Sequence, residues 1–301
     1  MSLPAFRRIG KVPGVFMKAG AGFMEHQALR LSAALSFYSV FSIGPLLIIV
    51  IALSGFVFGD EAVRGQLQTQ LEAFMGERSA SVVEDIVESS ARPMDSVVMG
   101  VVGLFTLFFG ATGVFGQLKD ALNSIWEVDL SIEKAVTKFV KDRLFSFSMV
   151  LGIGFLMLVS MVLTTGLEAL SGFVEKIFPL VPVVWQALNF LGSFAMVTVL
   201  FAMIFKVLPD VRIRWSDVWV GSAVTALLFG LGKFAIGIYL AREATASPYG
   251  AAGAFVLVLL WVYFSSVILL FGAEFTRVWA EANGHRMIPV RGAKLSGAER
   301  S

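Results

Sequence analysis

The chain has 301 residues, of which 57% are hydrophobic and only 15% charged, and its mean hydropathy is +0.81. A soluble domain carries about a quarter of its residues as Asp, Glu, Lys and Arg, so this composition leaves too little polar surface for water and points to lipid as the main solvent. The absence of cysteine excludes disulfides, thiolate metal sites and cysteine nucleophiles, and a net charge of +2 provides no global basic field for nucleic acid.

Residues 1–32 form an amphipathic, cytoplasmic N-terminal flank. Pro4, Arg7, Arg8, Lys11 and Pro13 interrupt its start. It lacks the apolar core and small-residue cleavage site of a signal peptide, so the first span is expected to act as an uncleaved insertion signal. The pattern over residues 13–34 fits an amphipathic helix at the inner surface or a lead-in to the first span.

Residues 33–280 form the membrane domain. A hydrocarbon core about 30 Å thick needs about 20 apolar residues in a helix. Residues 33–58, 97–118, 144–167, 181–205, 218–240 and 251–276 meet that length. Period-two alternation is absent, and backbone in lipid must satisfy its own hydrogen bonds, so the fold class is all-α and polytopic, with about six transmembrane helices. Loops on one side of these spans carry eighteen Lys and Arg, against five on the other. The basic side faces the cytoplasm, which puts both termini inside. The chain is therefore expected to be a multi-pass protein of the bacterial inner membrane.

The longest external loop covers residues 60–95 and is acidic. Val63, Leu67, Leu71 and Phe74 recur at helical spacing, and Val82, Val83, Ile86 and Val87 cluster, so two short amphipathic helices meeting near Gly76 are expected. Its carboxylates suit either a solvated face or a cation-attracting vestibule. Residues 281–301 form a cytoplasmic tail, expected to be disordered.

Polar groups inside the spans are the informative residues, because each costs free energy in lipid unless it meets a partner or water. Ser32, Ser36 and Ser39 share one face of the first span, ahead of Gly44 and Pro45, where a lost donor bends the helix. They either line a cavity or bond to their own helix carbonyls. Gly110, Gly113 and Gly116 flatten a stripe of the second span for close helix packing, and Gln117, Asp120 and Asn123 continue it to the inner mouth. Gln186 and Asn189 lie along the fourth span. Lys233 in the fifth either snorkels outward or takes a buried partner. Glu274 ends the sixth near the inner interface, in reach of Arg277, Lys206 or Arg212.

An enzyme is not expected, and neither is a metal or a cofactor. His26 and His285 are far apart in the two flanks and fit surface positions better than a hydrolytic zinc site or a triad. The stretch from Gly230 to Lys233 lacks the first glycine of a phosphate loop, and Phe234 stands where Ser or Thr should be. Membrane lipids are the expected partners, together with a lipid-linked or anionic substrate. Nucleic acid is not, and an oligomer is compatible.

Several stretches, in order, resemble the YihY/BrkB family of bacterial inner-membrane proteins over nearly all of residues 25–280. They run from Leu35 through Pro45 to Leu46, from Gln117 through Asn123 to Trp126, and from Lys206 through Pro209 to Trp215. Pro248, Tyr249 and Gly250 follow, then Leu260, Trp261 and Tyr263, then Gly272, Ala273 and Glu274. The resemblance implies a six-helix fold and marks Pro45, Asn123, Pro209, Tyr249, Gly250, Trp261 and Glu274 as candidate functional or structural positions. The family has carried a ribonuclease label and is linked to virulence and envelope lipid handling. Missing clustered histidines and a missing aromatic–basic RNA platform argue against ribonuclease chemistry here. Transport or flipping of an envelope component is the leading expectation, with Asp120, Lys233 and Glu274 as the charges to test. A membrane scaffold docking through the acidic loop is the alternative.

Overall fold

The computed structural model describes residues 12–58, 64–65, 67–69, 71–72, 77–90, 113–130, 182–243, 250–285, 287–289 and 293–295. Its helices are α1 (Val12–Glu25), α2 (Ala28–Phe58), α3 (Glu77–Ser90), α4 (113–125), α5 (Pro182–Val207), α6 (Trp215–Glu243) and α7 (Gly250–Ala282). Short strands are β1 (Val128–Leu130), β2 (Val211–Arg212), β3 (Ile288–Pro289) and β4 (Ala293–Leu295).

The chain is an all-α membrane protein. Segments 190–207, 215–236 and 255–282 are long and apolar enough to cross a bilayer, and 28–44 is a shorter apolar stretch. Many large apolar side chains on these helices face outward, among them Phe41, Phe190, Leu231 and Phe234, as expected where lipid replaces water. The expected spans 33–58, 181–205, 218–240 and 251–276 coincide with α2, α5, α6 and α7. Most of 97–118 and all of 144–167 lie outside the described residues, as does the junction at Gly76.

Helix α7 is the hub, packing against α1, α2, α3 and α6, while α5 packs on α6. The α6–α7 seam is close because small residues meet hydroxyls in both directions. Gly221 of α6 abuts Thr276 of α7, and Gly272 of α7 abuts Thr225 of α6. Each threonine donates to the carbonyl of its own helix four residues back, Thr225 to Gly221 and Thr276 to Gly272, both at 2.7 Å. The hydroxyls are thereby satisfied, and each threonine side chain, its hydroxyl oxygen foremost, fills the opposite glycine notch.

The N-terminal flank departs from the expected single helix. α1 ends at Glu25, Gln27 takes a left-handed conformation (φ 51°), and α2 begins at Ala28. Val15, Ala19 and Phe23 recur on one face of α1 and are buried, with the Phe16 ring tilted against Phe275 at 4.9 Å between ring centroids. This helix is docked on α7, and the break at His26–Gln27 separates it from α2. In the acidic loop over residues 60–95, α3 buries Ala80, Val83 and Val87 and exposes Glu84, Asp85 and Glu88, the expected amphipathic division.

The tail is not structureless throughout, contrary to expectation. α7 closes with Gly284 at φ 71°, where His285 N–H donates to Ala280 C=O and Gly284 N–H to Glu281 C=O. This left-handed glycine cap turns the chain back across the bundle end. β3 then pairs antiparallel with β2, in the register Val211 to Pro289, and β4 pairs with β1, Val128 to Leu295. β1 follows α4 and β2 follows α5, so the two ladders tie this part of the tail to the ends of those helices.

Candidate functional site

Three polar constellations gather at the end of the bundle where α1, α4, α5 and α7 finish. The deepest surrounds Glu274, whose side chain is fully buried. Its Oε1 accepts from Arg277 Nη2 at 2.6 Å and Nε at 3.1 Å, a two-pronged pair within one helical turn. Its Oε2 lies 3.0 Å from His26 Nδ1. Arg277 Nη1 also reaches Glu127 and Glu281, each at 3.0 Å, and His26 Nε2 lies 3.5 Å from Glu127.

Backbone geometry positions these groups. His26 sits in the turn between α1 and α2, where His26 N–H donates to Gly22 C=O at 2.8 Å and Gln27 makes the left-handed turn. Glu127 is also left-handed (φ 53°) and ends α4 before β1. A non-glycine residue in this conformation is disfavoured by roughly 1 kcal/mol or more. Both such turns flank the cluster, so the surrounding packing holds them there. Gly22 leaves room for the Glu274 carboxylate against α1.

The second constellation centres on Asp210, in the turn between α5 and α6. Lys119 Nζ lies 3.1 Å from Asp210 Oδ1. Asn123 Nδ2 donates to Asp210 Oδ2 at 3.1 Å, and Asp210 N–H donates back to Asn123 Oδ1 at 2.9 Å. The third joins His285 Nδ1 to Asp217 Oδ2 at 2.7 Å. Asp217 is buried in the first turn of α6, where the helix dipole favours a carboxylate.

Of the residues singled out from sequence, Asn123 and Glu274 enter these constellations. Glu274 takes Arg277, one of its three expected partners; Lys206 instead donates to the Ile213 carbonyl. Ser36 is buried and donates to Ala33 C=O at 2.9 Å, and Ser32 donates to Ala28 C=O at 2.8 Å, so both serve their own helix. Ser39 and Gln117 are half-buried and Asp120 is exposed. Gly113 approaches Ser42, the close packing expected of the glycine stripe. Lys233 is half-buried on α6, about 15 Å along the helix from the level of Glu274. Pro45, Gln186 and Asn189 lie within α2 and α5, with side chains outside the described set; Tyr249 lies outside the described residues altogether.

Both histidines contradict the surface expectation. The side chain of His26 is 12% exposed and that of His285 24%, because each is covered by a carboxylate partner from a distant helix. His26 and Glu274 are 248 positions apart. Glu127, Asp210 and Asp217 were also missed. The one local signal was Gly22, a residue small enough to admit a side chain one turn before His26.

The model for the family described as "Virulence factor BrkB" matches residues 19–291, which takes in every element of the three constellations. This chain belongs to the BrkB family. A UPF0761 membrane protein of Alcanivorax borkumensis is 25% identical over 95% of this chain and 65% of its own length. One from Chlorobium luteolum is 28% identical over 89% and 61%. One from Mannheimia succiniciproducens is 25% identical over 85% and 86%. This BrkB-family chain thus spans just under two thirds of the first of these relatives. No solved structure matches it.

Proposed function

We propose that this BrkB-family member is a permease or flippase-like protein of the bacterial inner membrane for an amphipathic or lipid-linked envelope anion. Its termini are cytoplasmic. The observation that carries the reading is the buried carboxylate of Glu274, held by His26 from the α1–α2 turn and by Arg277. Burying an ion costs several kcal/mol of desolvation even when it is paired. Ionisable groups kept inside membrane domains commonly mark pathways or proton relays. Here the group ties the α1–α2 turn to α7, so protonation of Glu274 or departure of His26 would loosen the polar end of the α1–α7 contact and leave its apolar face packed. Coupling would come from an ion gradient or from downhill movement.

The full chain in phosphatidylcholine vesicles, with trace fluorescent phosphatidylglycerol or fluorescent polyprenyl phosphate, tests this directly. One of the two probes should become accessible to an external quencher beyond the outer-leaflet half. Glu274→Gln should slow that phase about tenfold. Quenching that stops at the protein-free level for both probes would sink the reading.

One observation favours a second reading, a scaffold of the envelope. Glu84, Asp85 and Glu88 stand together on the outward face of α3, opposite its buried valines. A partner docked there would be captured by crosslinking through residues 60–95, and function would fail when that loop is exchanged.

A further inference from the structure

Between α5 and α6, residues 211–214 alternate in burial. Leu208, Val211 and Ile213 enter the core, and Arg212 and Arg214 are exposed. In extended chain, alternate residues share a face, so the two guanidiniums leave the protein together. The acids that could neutralise them are engaged inward. Asp210 is held by Lys119 and Asn123, and Asp217 is buried against His285. Among the described residues, neither arginine meets a carboxylate.

Trp215 and Trp219 follow one turn apart, 51% and 45% exposed, with ring centroids 6.2 Å apart. Lys206 fixes the first indole. Its ammonium donates to the Ile213 carbonyl and lies 5.4 Å from the Trp215 ring centroid. Leu227, Leu231 and Phe234 continue the exposed stripe along α6. From Trp219 to Phe234 the stripe runs about 22 Å, longer than the roughly 15 Å of hydrocarbon in one leaflet.

We infer that Arg212, Arg214, Trp215 and Trp219 form a headgroup site for an anionic phospholipid of the surrounding leaflet. The guanidinium forks bind the phosphate, the indoles lie at the ester level, and the acyl chains run along the α6 stripe. Charge complementarity selects the occupant: a zwitterionic lipid would bring its own cation toward the arginines, and an anionic one does not. The site does not rest on transport, since a resident lipid would be held whether or not anything crosses.

Native mass spectrometry of the full chain, titrated in detergent with phosphatidylglycerol or phosphatidylcholine, tests the site. Wild type should bind phosphatidylglycerol more tightly. R212Q/R214Q should weaken that binding about tenfold and leave phosphatidylcholine unchanged. Equal affinity of the wild type for both lipids would overturn the site. So would undiminished phosphatidylglycerol binding by the variant. If the double variant melts earlier than wild type, R214Q alone decides by the same two outcomes.

Discussion

Gly22 of α1 lies against the carboxylate of Glu274 on α7, and a methyl group at position 22 would occupy the space of Glu274 Oε1. The oxygen ends a side chain, yet it cannot swing aside freely, because Arg277 and His26 hold it in a fully buried position. Burial, ion pairing and helix docking therefore converge on one small residue.

Gly22→Ala should displace the carboxylate from His26 and loosen α1 from α7. The expected destabilisation is roughly 1–3 kcal/mol, the usual range for added bulk in a packed interior. Thermal unfolding of the purified protein in detergent measures it. An unchanged melting temperature would mean that the α1–α7 contact is softer than its geometry indicates.

The reciprocal notches of the α6–α7 seam predict non-additive behaviour. Gly272→Ala should drive a methyl into Thr225, at about 1–3 kcal/mol. Thr225→Ala removes the hydroxyl and methyl that stand in the way, so the double variant should recover part of that loss. A double-mutant cycle by thermal unfolding checks this, and simple additivity would contradict direct contact.

Asn123 bonds twice to Asp210, once through its amide and once through its carbonyl. Asn123→Ala leaves the Asp210 N–H and one carboxylate oxygen without those partners, at about 1–3 kcal/mol. Asn123→Asp should be worse than Ala, since it sets two carboxylates together. Comparing the three melting curves gives the order.

Membrane orientation predicts a fourth result. A reporter enzyme that is active only when exported should be active when fused after residue 75, since the Lys and Arg distribution puts that loop on the side opposite the cytoplasm. Cytoplasmic behaviour of that fusion would reverse the whole arrangement.

For the four expected spans that fall on described helices, positions were legible in the sequence to within a few residues at most ends. The expected 181–205 is α5 at Pro182–Val207, and 218–240 is α6 at Trp215–Glu243. The largest miss is the end of the last helix, which continues six residues beyond Thr276 to Ala282. Val278, Trp279 and Ala280 are buried there, so packing carries the helix past the point where hydropathy alone would stop it. The break at His26–Gln27 was equally hidden, since nothing in its local pattern marks a left-handed residue.

The sequence by itself determined the solvent, the helical class and the family resemblance. Hydropathy summed over about 20 residues is a local property, and without the period-two alternation of barrel strands lipid leaves the backbone no alternative to a helix. Only the tertiary structure decided which polar groups are paired. Ser32 and Ser36 serve their own helix, whereas His26, Glu127 and Glu274 find one another across the chain. The fate of a polar side chain in such a protein depends on neighbours brought by packing, and no window of residues contains them.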